Sequence, residues 1–189
     1  MGFTHLSGIF MVITLIGYRG VGKSTIAPRL AARLGWNWVD ADVEIEQRAG
    51  RSIAEIFQHE GEPGFRAREA GVLSELLARD RLVLAAGGGA ILNPHTRQTI
   101  RNAGPAIWLT ASLESIFARV HGDATTAGRR PSLTEADPRT EIQMLLSART
   151  PLYAETASQA IDTEGRSPEL IVDEIILALP ASVRHGSTH

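Results

Sequence analysis

The sequence predicts a three-layer α/β/α fold, in which a five-stranded parallel sheet lies between two layers of helices. Segments with helical spacing of apolar residues alternate along the chain with short apolar segments, and this alternation is typical of parallel sheets. The segment Leu82–Ala86 is wholly apolar, as expected for a strand covered on both faces. With 189 residues, the chain has the length of one domain.

The individual elements follow from local signals. Gly35 is expected to end the first helix, and Ser52–Glu55 form a capping box that predicts a helix start. Gly61 and Gly64 are expected to break the chain before a longer helix. Strands are predicted at 11–16, 36–39, 82–86, 106–109 and 160–162, and helices at 26–34, 43–49, 52–57, 65–78, 94–102, 113–121, 139–153 with a break near Pro151, and 168–179.

The domain bounds and the composition limit the possible functions. Residues 11–180 are expected to form the single domain, after an extension at 1–10 and before a frayed tail at 181–189. The extension lacks the basic and apolar segments of a signal peptide, and Met11 could be an alternative start. A net charge of -2 predicts no broad cationic face for nucleic acid or membrane, and the absence of cysteine excludes disulfides and thiolate metal sites. We expect a cytoplasmic monomer.

Gly17–Thr25 carry the clearest chemical signal. Gly17 and Gly22 bracket four residues before Lys23 and Ser24, which gives the phosphate-binding pattern G-x-x-x-x-G-K-[ST] between a predicted strand and a helix. Lys23 is expected on the β- and γ-phosphates and Ser24 on Mg²⁺, and Lys23 is also the chain's one lysine. A glycine turn without a ligand is the alternative. The predicted nucleotide contacts in this loop are Gly20, Val21, Gly22, Lys23, Ser24 and Thr25.

Asp40 and Asp42 follow the second predicted strand. If strand geometry persists, both carboxylates point to the same side, so that one could reach Mg²⁺ through water and the other could meet an acceptor hydroxyl. An ordinary helix N-cap is the alternative. The carboxyl ends of parallel strands meet at one edge of a sheet. We therefore expect the loop, the two aspartates, Gly87–Gly89 and the segment after Leu109 to surround one crevice.

In their order and spacing, these segments resemble the shikimate kinases. The resemblance extends from Val12 to about Pro168. It rests on Gly17–Thr25, Asp40–Asp42 with Ile45 and Glu46, Gly50–Phe57, Gly61–Glu62 with Phe65, Arg66 and Glu69, Gly87–Ala90, Arg130–Pro131, and Arg149 with Leu152–Tyr153.

The resemblance implies a P-loop kinase that phosphorylates the 3-hydroxyl of shikimate with ATP and Mg²⁺, a step of chorismate and aromatic amino acid biosynthesis. It implies a substrate-binding region at about 42–70 and a mobile lid at about 121–138. The catalytic residues would be Lys23, Asp42 and Arg130, with Arg130 and Arg166 on the nucleotide and Asp40 reaching the metal through water. The substrate would be bound by Asp42, Arg66, Gly87, Gly88, Gly89 and Arg149, with the two arginines on its carboxylate.

The lid departs from the family pattern. The sequence has Arg130-Pro131-Ser132-Leu133 where the family usually has Arg-Pro-Leu-Leu, and the segment is a few residues longer. Arg129 therefore competes with Arg130 for the catalytic position, and Asp42 could act either as a base or as an orienting group.

Two other functions stay open from the sequence. A gluconate kinase would also accept a hydroxylated carboxylate, although the glycine triplet and Ser52–Phe57 favour shikimate. A nucleotide-gated regulatory module would keep the fold without turnover.

Overall fold

The structure is a computed structural model that describes residues 11–122 and 137–184. The predicted lid arginines Arg129 and Arg130, the extension at 1–10 and residues 185–189 lie outside the described residues.

Five parallel strands form a sheet in the order β2-β3-β1-β4-β5, which confirms the predicted fold class. The central strand β1 pairs with β3 on one side and with β4 on the other. The chain first adds β2 and β3 on one side of β1 and then adds β4 and β5 on the other side, so the strand order reverses at β1. In such sheets a crevice opens beyond the carboxyl end of the central strand. The strands are β1 Val12–Ile16, β2 Asn37–Asp40, β3 Leu82–Ala85, β4 Ala106–Thr110 and β5 Gln159–Asp162.

The helices connect consecutive strands and cover both faces of the sheet. Most of their bounds lie within a few residues of the prediction. The helices are α1 Lys23–Leu34, α2 Ala41–Ala49, α3 Ile53–Leu77, α4 Pro94–Ala103, α5 Leu113–Gly122, α6 Pro138–Thr156, α7 Pro168–Ala178 and α8 Ala181–Arg184, and a short 3₁₀ helix spans Ala90–Leu92.

The strands divide the core into two clusters. Ile13 and Leu15 of β1 pack on one face with residues of α1, α5 and α7. Val12 and Ile16 point to the other face and pack with residues of α2, α3 and α4. Successive side chains of a strand point to opposite faces, so an apolar strand supports both helical layers.

Three details differ from the prediction. The chain breaks at Gly61 as predicted, with a φ of 68° and a ψ of -179° that join the two helical parts of α3 at a kink, but Gly64 lies within the second part and does not break it. Helix α6 continues past Pro151 to Thr156, because its buried residues on both sides of the proline hold it against the core. Beyond Pro180, where a frayed tail was expected, α8 forms and Val183 is buried.

Within the ranges 11–122 and 137–184, we find no helix that is both long and apolar enough to cross a membrane.

Candidate active site

The phosphate-binding loop is held tightly against the sheet. Gly17 has a φ of 138°, and a Cβ there would lie 2.5 Å from the carbonyl oxygen of Leu109 in β4. Gly22 has a φ of 98° and is the N-cap of α1. Only glycine meets both demands at low cost. The loop therefore wraps the N-terminus of α1, where free N–H groups and the helix dipole favour anions.

Lys23 folds over its own loop. Its ammonium group donates to the carbonyl oxygens of Gly17 and Tyr18, both at 2.8 Å. The side chain is partly buried and lines the cavity described below. The positive charge is thus fixed at the place where phosphates would lie.

Asp40 links the loop to β2. Its Oδ1 accepts the N–H of Asp42 at 3.0 Å and that of Val43 at 3.4 Å, so Asp40 is the N-cap of α2. Its Oδ2 accepts the hydroxyl of Ser24 at 2.5 Å. The predicted strand geometry across Asp40 and Asp42 is wrong, because the chain turns into a helix at Ala41. The carboxylate of Asp40 therefore both caps α2 and contacts the phosphate-binding loop through Ser24.

The cleft brings most of the predicted residues together. A cavity of about 550 Å³ lies beyond the carboxyl ends of the strands. Gly89 is absent from its lining among the described residues. The predicted residues that do line it are Gly20–Thr25, Asp40, Asp42, Arg66, Gly87, Gly88, Arg149 and Arg166.

We distinguish two sides of this cavity by the strand that each adjoins. The β3 side is formed by Asp42, Phe57, Arg66, Gly87, Gly88 and Arg149, and the β5 side by Arg119, Thr163, Arg166, Pro168 and Ile171. The phosphate-binding loop lies between them because β1 is the central strand.

On the β3 side, Arg66 is held by two carboxylates. Its guanidinium lies 2.7 Å from Glu69, which is buried, and 3.1 Å from Glu62. Burial alone would lower the pKa of Arg66, but these carboxylates outweigh burial and raise it. A Cβ on Gly89 would lie 2.6 Å from Nη2 of Arg66. Gly89 therefore makes room for Arg66, whereas Gly87 and Gly88 line the cavity.

Arg149 reaches the β3 side from α6. It is only 6% exposed, and its guanidinium donates to the carbonyl oxygen of Gly88 at 3.3 Å. The hydroxyl of Tyr153 donates to the same oxygen at 2.6 Å. The guanidinium also lies 5.7 Å from the ring centroid of Tyr18, a favourable position for a cation. Arg149 is thus fixed between the glycine triplet and the phosphate-binding loop.

The β5 side contains a residue that was not predicted. Arg119 donates to the carbonyl oxygen of Gly20 at 3.3 Å and to Thr163 Oγ1 at 3.4 Å. A cation in the last turn of a helix is ordinarily explained by the helix dipole, so no separate signal marks Arg119 in the sequence. Arg166 donates to the carbonyl oxygen of Asp162 at 3.0 Å and pairs with Glu174 at 2.5 Å.

A parallel sheet whose central strand enters a phosphate-binding loop, next to an arginine-lined second compartment, defines a P-loop kinase of small molecules. Residues 19–180 match the family model described as shikimate kinase. The chain belongs to the shikimate kinase family.

Individual relatives agree with this membership. The chain is 48% identical over 169 residues to a shikimate kinase of Rhodopirellula baltica, covering 89% of this chain and 90% of the relative. The solved structure of a shikimate kinase from Acinetobacter baumannii in complex with shikimate has a TM-score of 0.83 and 37% identity, and the match covers 88% of this chain and 91% of that one.

A gluconokinase from Sinorhizobium meliloti shares the fold alone. Its TM-score is 0.54 and its identity is 15%, over 89% of this chain and 90% of that one. The gluconate kinase alternative therefore gains support at the level of fold only.

Proposed function

We propose that this chain transfers the γ-phosphoryl group of ATP to the 3-hydroxyl of shikimate and releases shikimate 3-phosphate and ADP. The observation that carries the proposal is the continuous cavity that joins the phosphate-binding loop to the arginines of the β3 side. Phosphoryl transfer depends mainly on alignment of the two reactants and on charge stabilisation. A shared cavity of this composition supplies both, and membership of the family supports the choice of substrate.

The loop would hold the triphosphate. Backbone N–H groups at the start of α1 offer hydrogen bonds to phosphate oxygens. Lys23 would exchange its contacts with Gly17 and Tyr18 for contacts with the β- and γ-phosphates. The nucleoside would extend toward Arg119 and Arg166 on the β5 side. Arg130 would cover the phosphates as part of the lid.

The residues beside the loop fit a magnesium ion. Mg²⁺ prefers oxygen ligands and keeps several of its waters. The hydroxyl of Ser24 and the carboxylate of Asp40 already lie together, and both are oxygen donors. Ser24 would bind the ion directly and Asp40 through water. When bound, the ion would neutralise charge on the phosphate oxygens.

Arg66 and Arg149 would bind the carboxylate of shikimate on the β3 side, since a guanidinium can pair with a carboxylate through two N–H groups. Gly87 and Gly88 would form the wall against the ring of the substrate. Asp42, in the first turn of α2, would hold the reacting hydroxyl.

The role of Asp42 can be measured directly. If Asp42 is a general base, Asp42→Asn should lower kcat by about 10²- to 10⁴-fold. The KM for ATP should stay unchanged. A loss of only a few-fold in kcat would instead assign Asp42 to orientation of the hydroxyl. Steady-state kinetics with ATP and shikimate varied in turn separate the two outcomes.

A panel of acceptors tests the proposal as a whole. Purified protein is assayed for ADP release with ATP, Mg²⁺ and either shikimate, gluconate or no acceptor. We expect turnover with shikimate, and Arg66→Ala should weaken shikimate binding while nucleotide binding survives. Arg68→Ala is the matched control, because Arg68 lies on the same helix but pairs with Glu60 at the surface.

Two outcomes of this assay would contradict the proposal. Turnover on gluconate without turnover on shikimate would refute it, and nucleotide binding without any acceptor-dependent turnover would favour a regulatory module.

A further inference from the structure

Five of the arginines in the described residues are at least partly buried, and they fall into two groups. Arg66, Arg97 and Arg166 each form an ion pair with a glutamate. Within the described parts of the chain, Arg19 and Arg149 form no ion pair with a carboxylate. Taking a cation out of water without a counter-charge is unfavourable. These two guanidiniums are therefore the positions at which an anionic ligand would gain most.

Arg19 and Arg149 also share one neighbour. The guanidinium of Arg19 lies 5.9 Å from the ring centroid of Tyr18, and that of Arg149 lies 5.7 Å from it. Burial raises the pKa of Tyr18, while both arginines act to lower it, so both charges are close to this side chain. Tyr18 is neutral and buried. Both guanidiniums lie next to its ring, so the two cations lie on the same wall of the cavity.

The position of Arg19 associates it with the β3 side of the cavity. Arg19 is the third residue of the phosphate-binding loop, and its backbone nitrogen would lie 3.4 Å from a Cβ on Gly88. Arg149 binds the carbonyl oxygen of that same glycine. Arg19 also lines the cavity, and its Nε is buried without a hydrogen-bond partner in the described residues. Because Arg19 lines the cavity, its guanidinium can donate to a ligand on the side where the acceptor substrate would lie.

Arg66 differs from this pair in its charge balance. Glu69 and Glu62 already compensate its guanidinium, and Glu69 is buried beside it. An incoming carboxylate would meet a cation whose charge is largely offset. Arg66 can still donate hydrogen bonds, but Arg149 and Arg19 are the cavity-lining arginines beside Tyr18 that form no ion pair with a carboxylate of the described residues, although the buried Glu141 also lines this cavity.

We propose that Arg19 is a further substrate-binding residue, which pairs with the carboxylate of the acceptor together with Arg149. The inference rests on the proposed function, because it needs a carboxylate-bearing acceptor on the β3 side. It assigns to a side chain of the phosphate-binding loop a role in recognising the acceptor, while the backbone of the same loop serves the nucleotide.

The test compares Arg19→Met with the unchanged protein on two acceptors, shikimate and its methyl ester, which lacks the negative charge. Loss of a charge-assisted contact should lower kcat/KM for shikimate by about 10- to 100-fold. The value for the methyl ester should change by less than about threefold, since the partner charge is missing there. The KM for ATP should stay the same.

Two further variants control the experiment. Arg79→Met removes an exposed arginine that precedes β3 at the opposite end of the sheet, and it should match the unchanged protein. Arg19→Gln keeps a polar side chain that is shorter than arginine and uncharged, and it replaces Arg19→Met if a thermal melt shows that the methionine variant does not fold.

Three results would overturn the inference. An equal loss on both acceptors or a raised KM for ATP would place Arg19 on the phosphates. An unchanged kcat/KM for shikimate would show that Arg19 does not contact the acceptor. If the unchanged protein itself fails to phosphorylate shikimate, the proposed function fails, and that result is distinct from these three.

Discussion

At the scale of single residues, Asp40 shows how one carboxylate serves two purposes. One oxygen caps α2 and the other accepts the hydroxyl of Ser24. Asparagine is as good an N-cap as aspartate, but it carries no charge to face a metal ion. The two functions can therefore be separated by the choice of substitution.

We expect Asp40→Asn to keep the stability of the protein and to lower its activity by about 10- to 100-fold, as is usual for residues that hold a metal through water. Asp40→Ala should lose the same activity and also about 1 kcal/mol of unfolding free energy, because the cap is lost. Urea unfolding and kinetics at saturating Mg²⁺ measure the two effects. Full activity in Asp40→Asn would contradict the assignment.

Lys23 allows a direct test of the phosphate-binding loop. It is the chain's one lysine, so Lys23 and the N-terminus are its only amines. Bound phosphates would enclose the ammonium group, so Mg-ATP should protect Lys23 from an amine-reactive reagent. Mass spectrometry of the labelled peptides measures the protection, with the N-terminal amine as the internal reference. Equal labelling of Lys23 with and without Mg-ATP would show that the loop does not hold phosphate as proposed.

At the scale of elements, α3 carries Arg66 into the cavity through a kink. Gly61 has a φ of 68° and a ψ of -179°, a conformation that is essentially restricted to glycine. Gly71 lies later in the same helix, and an added Cβ there would have nothing within 4 Å. The backbone at Gly61 thus requires glycine, whereas the helix at Gly71 has room for a larger side chain.

Alanine substitutions should reveal this difference. Gly61→Ala should destabilise the protein by about 1–3 kcal/mol and raise the KM for shikimate, because Arg66 follows the kink. Gly71→Ala should stabilise it by about 0.5–1 kcal/mol, since a helix interior favours alanine over glycine. Urea unfolding measures both, and effects of the same sign would contradict the explanation.

Local signals made most of the elements predictable. The capping box at Ser52 and the helix end at Gly35 depend on neighbouring residues only, and both are confirmed. The continuous helix through Pro151 depends on the packing of Arg149 and Tyr153, which a local pattern does not contain.

The candidate site was predictable in composition but not in geometry. Gly87–Gly89 were all expected to bind the substrate, yet the space at Gly89 is taken by Arg66. The two segments are distant in sequence, so only the tertiary structure shows this contact. Arg119 was missed for the same reason, since its partners Gly20 and Thr163 lie on other elements.

At the scale of the whole molecule, the cleft joins the two halves of the sheet. The β3 side is built from α2, α3, α6 and the segment after β3, and the β5 side from α5, α7 and the segment after β5, with the loop after β1 between them. A ligand that spans the cavity would therefore connect elements that belong to different core clusters. Stabilisation by ligands should extend to the whole domain.

Each substrate should consequently raise the melting temperature. A ligand at about 100 times its Kd adds about 2.7 kcal/mol to the unfolding free energy, which corresponds to about 5–10 °C for a domain of roughly this size. We expect such shifts with Mg-ADP and with shikimate, measured by calorimetry. Mg-ADP together with shikimate should exceed either alone, because the proposed function places them at separate sites, the loop and the β3 side. In Arg66→Ala, the shift with shikimate should fall while the shift with Mg-ADP stays. A loss of both shifts would mean that Arg66 supports the fold of the cleft rather than the acceptor.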